Sequence, residues 1–253
     1  MKINQKYDIK QVGETRVLAL YLYGEISPSY TDWWGDYHES KTSAEYIINA
    51  INSAGDFDQV NVYINSCGGS VSEGIAIYNN LKRIDKPVHV YVDAFAYSVA
   101  SVIAMAGDKI IMPSNTTMMI HNAMMGCFGN SKDLRKAADD LDIINEASCN
   151  SYLTKSSKID KDKLVELLDA ETFLSAEQAF EYGLCDEIAN PVDLTESIEI
   201  AEQAVRNKNP YAKKAIEQIR QVKKEQTPEP KQQTPDQKEQ DCFEWLKEQF
   251  NLN

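Results

Sequence analysis

Only three histidines occur in the 253-residue chain, His38, His89 and His121, so candidates for a general base are few. His38 sits in a polar stretch and His89 alternates within an apparent strand. His121 follows the apolar run Met118-Met119-Ile120 and precedes a turn of small residues, which places it at the C-terminal end of a predicted strand. A hydrogen-bonded core histidine is the bland alternative for any lone imidazole.

The segment YVDAFAYSVAS puts Ser98 between a buried strand and an apolar helix. That strand–turn–helix setting exposes a nucleophile in unrelated hydrolases, although a serine there can also be a plain N-cap. The backbone N–H of Val99, at the start of the predicted helix, is aimed where an oxyanion would develop. A second donor is sought in NSCGGS (65–70), whose two glycines let the backbone approach a ligand closely, and Gly69 is the candidate. Each signal is weak alone, since the Gly-Gly turn would also cap a strand or cradle phosphate. Together they specify acyl transfer by a serine nucleophile and a histidine base, with Ser101 as the fallback hydroxyl.

The elements that must position these groups alternate. RVLALYLYGEI (16–26) reads as a buried strand, and Thr42 and Glu45 have capping-box spacing before a helical stripe of Ala44, Ile47, Ile48, Ile51 and Ala54. Strand 60–65, a helix over 71–84, strand 87–93 and an apolar helix from Ser98 follow. Strands alternating with helices predict an α/β fold with a largely parallel sheet. Beyond strands at 109–113 and 117–120, a long helix over 131–157 is expected to turn Leu134, Ala138, Leu141 and Ile144 inward and to project toward another subunit. Ser175 and Gln178 form a second capping-box pair, ahead of a helix ending at Gly183 and a last strand at 184–188. The compact domain is expected to close near Pro191.

A net charge of −13 argues against nucleic acid and anionic membrane surfaces as partners. The polar N-terminus and the absence of a run of about 18 apolar residues lead us to expect a soluble, cytoplasmic protein. Five scattered cysteines (Cys67, Cys127, Cys149, Cys185, Cys242) show no metal-ligand spacing and read as reduced thiols. No metal or cofactor is expected.

On its motifs the chain resembles the Clp protease proteolytic subunit family. YINSCGGSVSEGIAIYNNL is similar to the family's glycine-rich region, AFAYSVASVIAMAGD to its nucleophile segment and MMIHNAMMG to its histidine segment. ETFLSAEQAFEYGLCDEI is similar to the closing helix and strand, and the likeness covers roughly residues 16–190. It implies the spiral β-β-α fold shared with crotonases, in a domain over 1–193 with a projecting long helix. It also implies polypeptide substrates, self-association into rings, and a Ser98–His121–acid site with Gly69 and Val99 as oxyanion donors. At the position of the family's aspartate this chain has Glu171, with Asp169 close enough to compete. The WWGD segment (33–36) resembles the prophage branch of the family, linked to capsid maturation. Trp33 and Trp34 would otherwise fill a core or a subunit contact.

Past the peptidase domain we expect a helical extension (194–224), a disordered linker (225–240) too polar to offset chain entropy, and a short amphipathic segment (241–253). Phe243, Trp245, Leu246 and Phe250 would dock that segment on a capsid or scaffold protein. Two other readings stay open: a crotonase-type enzyme acting on coenzyme A thioesters, and a catalytically silent ring that scaffolds assembly.

Overall fold

The computed structural model describes residues 7–12 and 14–226. The chain divides into two units, Met1–Ile219 and Arg220–Asn253, and everything below concerns the first. The expected linker and terminal docking segment fall, from residue 227 on, outside the described residues.

Ten strands and eight helices follow in order among the described residues: β1 (Tyr7–Val12), β2 (Thr15–Tyr23), β3 (Tyr30–Thr31), β4 (Tyr37–His38), α1 (Ala44–Ser53), β5 (Gln59–Ser66), α2 (Val71–Lys82), β6 (Val88–Tyr97), α3 (Val99–Ala104), β7 (Lys109–Pro113), β8 (Thr117–Ile120), α4 (Ser131–Lys155), α5 (Lys161–Asp169), β9 (Thr172–Ser175), α6 (Ala176–Glu181), β10 (Glu187–Ala189), α7 (Thr195–Arg206) and α8 (Ala212–Gln226). Eight strands form one sheet in the order β1-β2-β5-β6-β7-β10, with β8 and β9 branching from β6. The pairs β2–β5, β5–β6, β6–β7 and β6–β8 are parallel. The architecture is the α/β fold with a largely parallel sheet anticipated above.

In β5 and β6 one residue in two is fully buried, Val60, Val62 and Ile64 on one strand and Val88, Val90 and Val92 on the next. They share a cluster with Ile47 of α1, Ile77 and Leu81 of α2, and Ile103 of α3, and each such side chain contributes about 1.5–3 kcal/mol by leaving water. The alternate residues face the other way as a tyrosine ladder, with ring centroids 5.0 Å apart for Tyr21–Tyr63 and 5.1 Å for Tyr63–Tyr91.

Strand β6 is shared along its length. Its first half pairs with β7 (His89–Lys109 to Tyr91–Ile111) and its second half with β8 (Phe95–Thr117 to Tyr97–Met119). This fork carries the ends of β6 and β8 out side by side and leaves residues 98 and 121 as neighbours.

Several expectations change in detail. The N-cap of α1 is Ser43, whose hydroxyl accepts from Tyr46 N–H, while Thr42 donates to the Glu25 carbonyl. Only the later part of α4 packs inward, through Ser148, Cys149, Ser151 and Tyr152. Leu134 is 49% exposed and Ile143 69%, and Ala138 is exposed as well, so these side chains in the first half of the helix find no core among the described residues. The last strand begins at Glu187 rather than at residue 184. Trp33 and Trp34 fill no core of the protomer: they are 95% and 84% exposed at the turn of the β3–β4 hairpin. Helix α7 packs on β5, and Ser197, Ala201, Ala204, Tyr211, Ala212 and Ala215 are buried. No described helix is long and apolar enough to cross a membrane.

Candidate active site

Ser98 follows the last residue of β6 with φ 55° and ψ −134°, a left-handed conformation that costs a non-glycine residue about 1–3 kcal/mol. Surrounding bonds hold it there. Its N–H donates to the Met119 carbonyl (2.9 Å), and its own carbonyl accepts from Ser101 N–H (2.9 Å) and Ser101 Oγ (2.5 Å). Ser101 Oγ in turn lies 2.6 Å from the hydroxyl of Tyr152, buried on α4. Ser101 is fully buried in this supporting chain and unavailable as a nucleophile.

His121, one residue past β8, sets Nε2 2.7 Å from Ser98 Oγ. Burial pushes its imidazole below the ordinary value, and the nearby Glu171 charge acts in the opposite sense. The shift favours the neutral ring, the form able to accept a proton.

The glycine turn closes the other side. Gly68 (φ 86°) lies so near the serine that a methyl group on it would fall 2.6 Å from Ser98 Cβ and 3.0 Å from Oγ. At Gly69 (φ 149°) a methyl would fall 2.1 Å from the Ile26 carbonyl oxygen. Ile26 N–H donates to the Gly68 carbonyl (2.9 Å) and Ser70 N–H to the Ile26 carbonyl (2.7 Å). In such a parallel bridge the N–H of the middle residue, Gly69, points away from Ile26. Val99 N–H, first in α3, has no acceptor within its helix.

Of the two candidate acids, Asp169 accepts from Asn122 Nδ2 at 2.7 Å. Glu171 stands in the turn between α5 and β9 with φ 49°, and its charge reaches His121. The atom at hydrogen-bond distance from His121 Nδ1, however, is the hydroxyl of Tyr211, 3.1 Å away, with ring centroids 4.7 Å apart. Tyr211 comes from the connection between α7 and α8 and was not among the residues read from the sequence. It is 8% exposed, and burial together with Glu171 pushes its hydroxyl up to about 12.

Cys67, beside the glycines, is buried and its thiol is pushed up to about 12, which leaves it protonated and inert. Cys149 and Cys185 are also buried, and Cys127 is exposed.

Comparison with known proteins settles the family. Residues 38–192, a span containing Gly69, Ser98, Val99, His121, Asp169 and Glu171, match the Clp protease family. The chain belongs to the Clp protease family. Membership makes it a serine-type endopeptidase. It is 33% identical over 141 residues to the ATP-dependent Clp protease proteolytic subunit of Deinococcus radiodurans, covering 54% of this chain and 68% of that one. To the protein of the same name from Ligilactobacillus salivarius it is 36% identical over 130 residues, covering 50% and 65%. This membership sets aside the coenzyme A thioester reading. The family match ends before α7, so Tyr211 lies outside it.

Proposed function

We propose that the chain hydrolyses peptide bonds by acyl transfer at Ser98. His121 Nε2 removes the Oγ proton, Oγ attacks the peptide carbonyl, and the oxyanion is received by the N–H groups of Gly69 and Val99. The imidazolium then protonates the departing amine, and water attacks the acyl-enzyme by the same route. Glu171 supplies the negative charge that stabilises the imidazolium. The observation that carries this reading is the 2.7 Å contact between Nε2 and an Oγ held on a left-handed backbone.

The reading extends to assembly. Met124, Met125, Phe128, Leu134 and Ile143, all exposed, lie on the segment after His121 and on the first half of α4. An apolar surface of this kind fits contact between subunits of a ring. With active sites facing an inner chamber, access would select the polypeptide substrates. Capsid maturation as the setting is supported by the likeness of residues 33–36 alone.

Treatment of the full chain with a fluorophosphonate, followed by peptide mass spectrometry, tests the assignment. A single adduct on Ser98, lost in His121→Ala, is the expected result. No adduct on the assembled protein would replace this reading with that of a silent scaffold.

A further inference from the structure

We infer that Tyr211 is a positioning residue, its hydroxyl taking the Nδ1–H of His121, so that the site runs Ser98–His121–Tyr211 with the Glu171 charge nearby. This inference rests on the Ser98–His121 reading above and deepens it.

The direction of the bonds follows from what each group can do. A phenol has one proton to donate, and a thioether sulfur only accepts, weakly. The Tyr211 hydroxyl donates to Met124 Sδ at 3.7 Å, which leaves its oxygen to accept from Nδ1 at 3.1 Å. With the proton on Nδ1, Nε2 presents a lone pair to Ser98 Oγ, the tautomer that a general base requires. Were Tyr211 to donate to Nδ1 instead, Nε2 would carry the proton and could not receive that of the serine.

The hydroxyl is held for this purpose. Asn209 accepts from Tyr211 N–H at 3.0 Å and donates through Nδ2 to the Cys67 carbonyl at 3.3 Å, tying the connection to the glycine turn. Asn207 donates to Glu25 Oε2 at 2.8 Å. On the far side Gln218 of α8 accepts from the Tyr97 hydroxyl, one residue before the nucleophile. The contact lies at Nδ1, the ring nitrogen that does not engage Ser98. Of the other charged groups around the site, Asp169 is engaged by Asn122, and Lys214 lies over the Phe173 ring at 4.0 Å.

The test combines ring-nitrogen NMR of histidine-labelled full chain with kinetics on a small peptide. Only three histidines are present, and His121→Ala identifies the relevant signal. In the unmodified protein neutral His121 is expected to carry its proton on Nδ1. Tyr211→Phe keeps the ring and removes the hydroxyl. We expect it to lower kcat roughly 10- to 100-fold with KM within about 2-fold, and to shift the tautomer toward Nε2–H. A proton on Nε2 in the unmodified protein would overturn the inference even if Tyr211→Phe failed to fold. An unchanged kcat in a folded Tyr211→Phe protein would overturn it as well. Ser98 labelling, measured on the same preparations, separates the two claims: an adduct with unchanged kcat defeats the role of Tyr211 alone, whereas no adduct defeats the serine assignment beneath it.

Discussion

The two sides of His121 are built differently. On the Nε2 side, Ser98 is fixed by adjacent parallel strands, a buried Ser101–Tyr152 pair and a glycine at contact distance, all within the span that matches the family. On the Nδ1 side, the groups are a glutamate in a left-handed turn and a tyrosine from a connection beyond that span. The Ser98 side is therefore over-determined by the core, where strand register allows one solution. The acid side is assembled from pieces that can be exchanged without disturbing the sheet. Glu171 acts on the imidazole through its charge, while the hydroxyl at Nδ1 is that of Tyr211.

The sharpest way to break the comparison is at Gly68. Alanine there has to adopt φ 86° and pushes against Ser98 Cβ, so Gly68→Ala should lower kcat/KM by at least roughly 100-fold. Peptide hydrolysis by the assembled protein measures it, and near-normal activity would show the elbow to be loosely held.

A smaller loss is expected from Glu171→Gln. Its carboxylate favours the imidazolium, so removing the charge lowers the His121 pKa further. Since the neutral form is the active base, the acid limb of the kcat/KM profile should move to lower pH while the plateau falls roughly 10-fold or more. A limb moving upward would mean that another group governs the titration.

Tyr152→Phe should act least on chemistry, removing one bond to Ser101 Oγ from behind the nucleophile. We expect a loss of about 1–2 kcal/mol of stability, read from denaturant unfolding, with a few-fold fall in kcat. A larger effect on kcat than in Glu171→Gln would reverse the ranking of the two sides.

This division also explains what could be read in the sequence. Ser98, His121 and Gly69 were legible because each stands at the end of a strand, where local pattern and turn chemistry mark the position. The N-cap of α1 was displaced by one residue because Thr42 and Ser43 are both hydroxyl residues, and only the fold shows which hydroxyl faces the helix. The stripe on α4 was periodic along its whole length, yet periodicity does not say where the protomer stops, and Leu134 and Ala138 lie past that edge. The aromatic pair Trp33–Trp34 gave no sign of its exposure, since a hairpin tip and a core strand use the same residues. Tyr211 was illegible for a different reason: nothing local distinguishes one tyrosine in a connection between two helices, and its partner lies 90 residues away.

That separation also sets an order of events during synthesis. Ser98 and His121 leave the ribosome well before the connection at 207–211, by several seconds or more at about 5–20 residues per second. Through that interval the nascent chain holds a serine and a histidine whose Nδ1 still lacks the contact made by Tyr211. The site reaches its final form only when nearly all of the first compact unit has emerged.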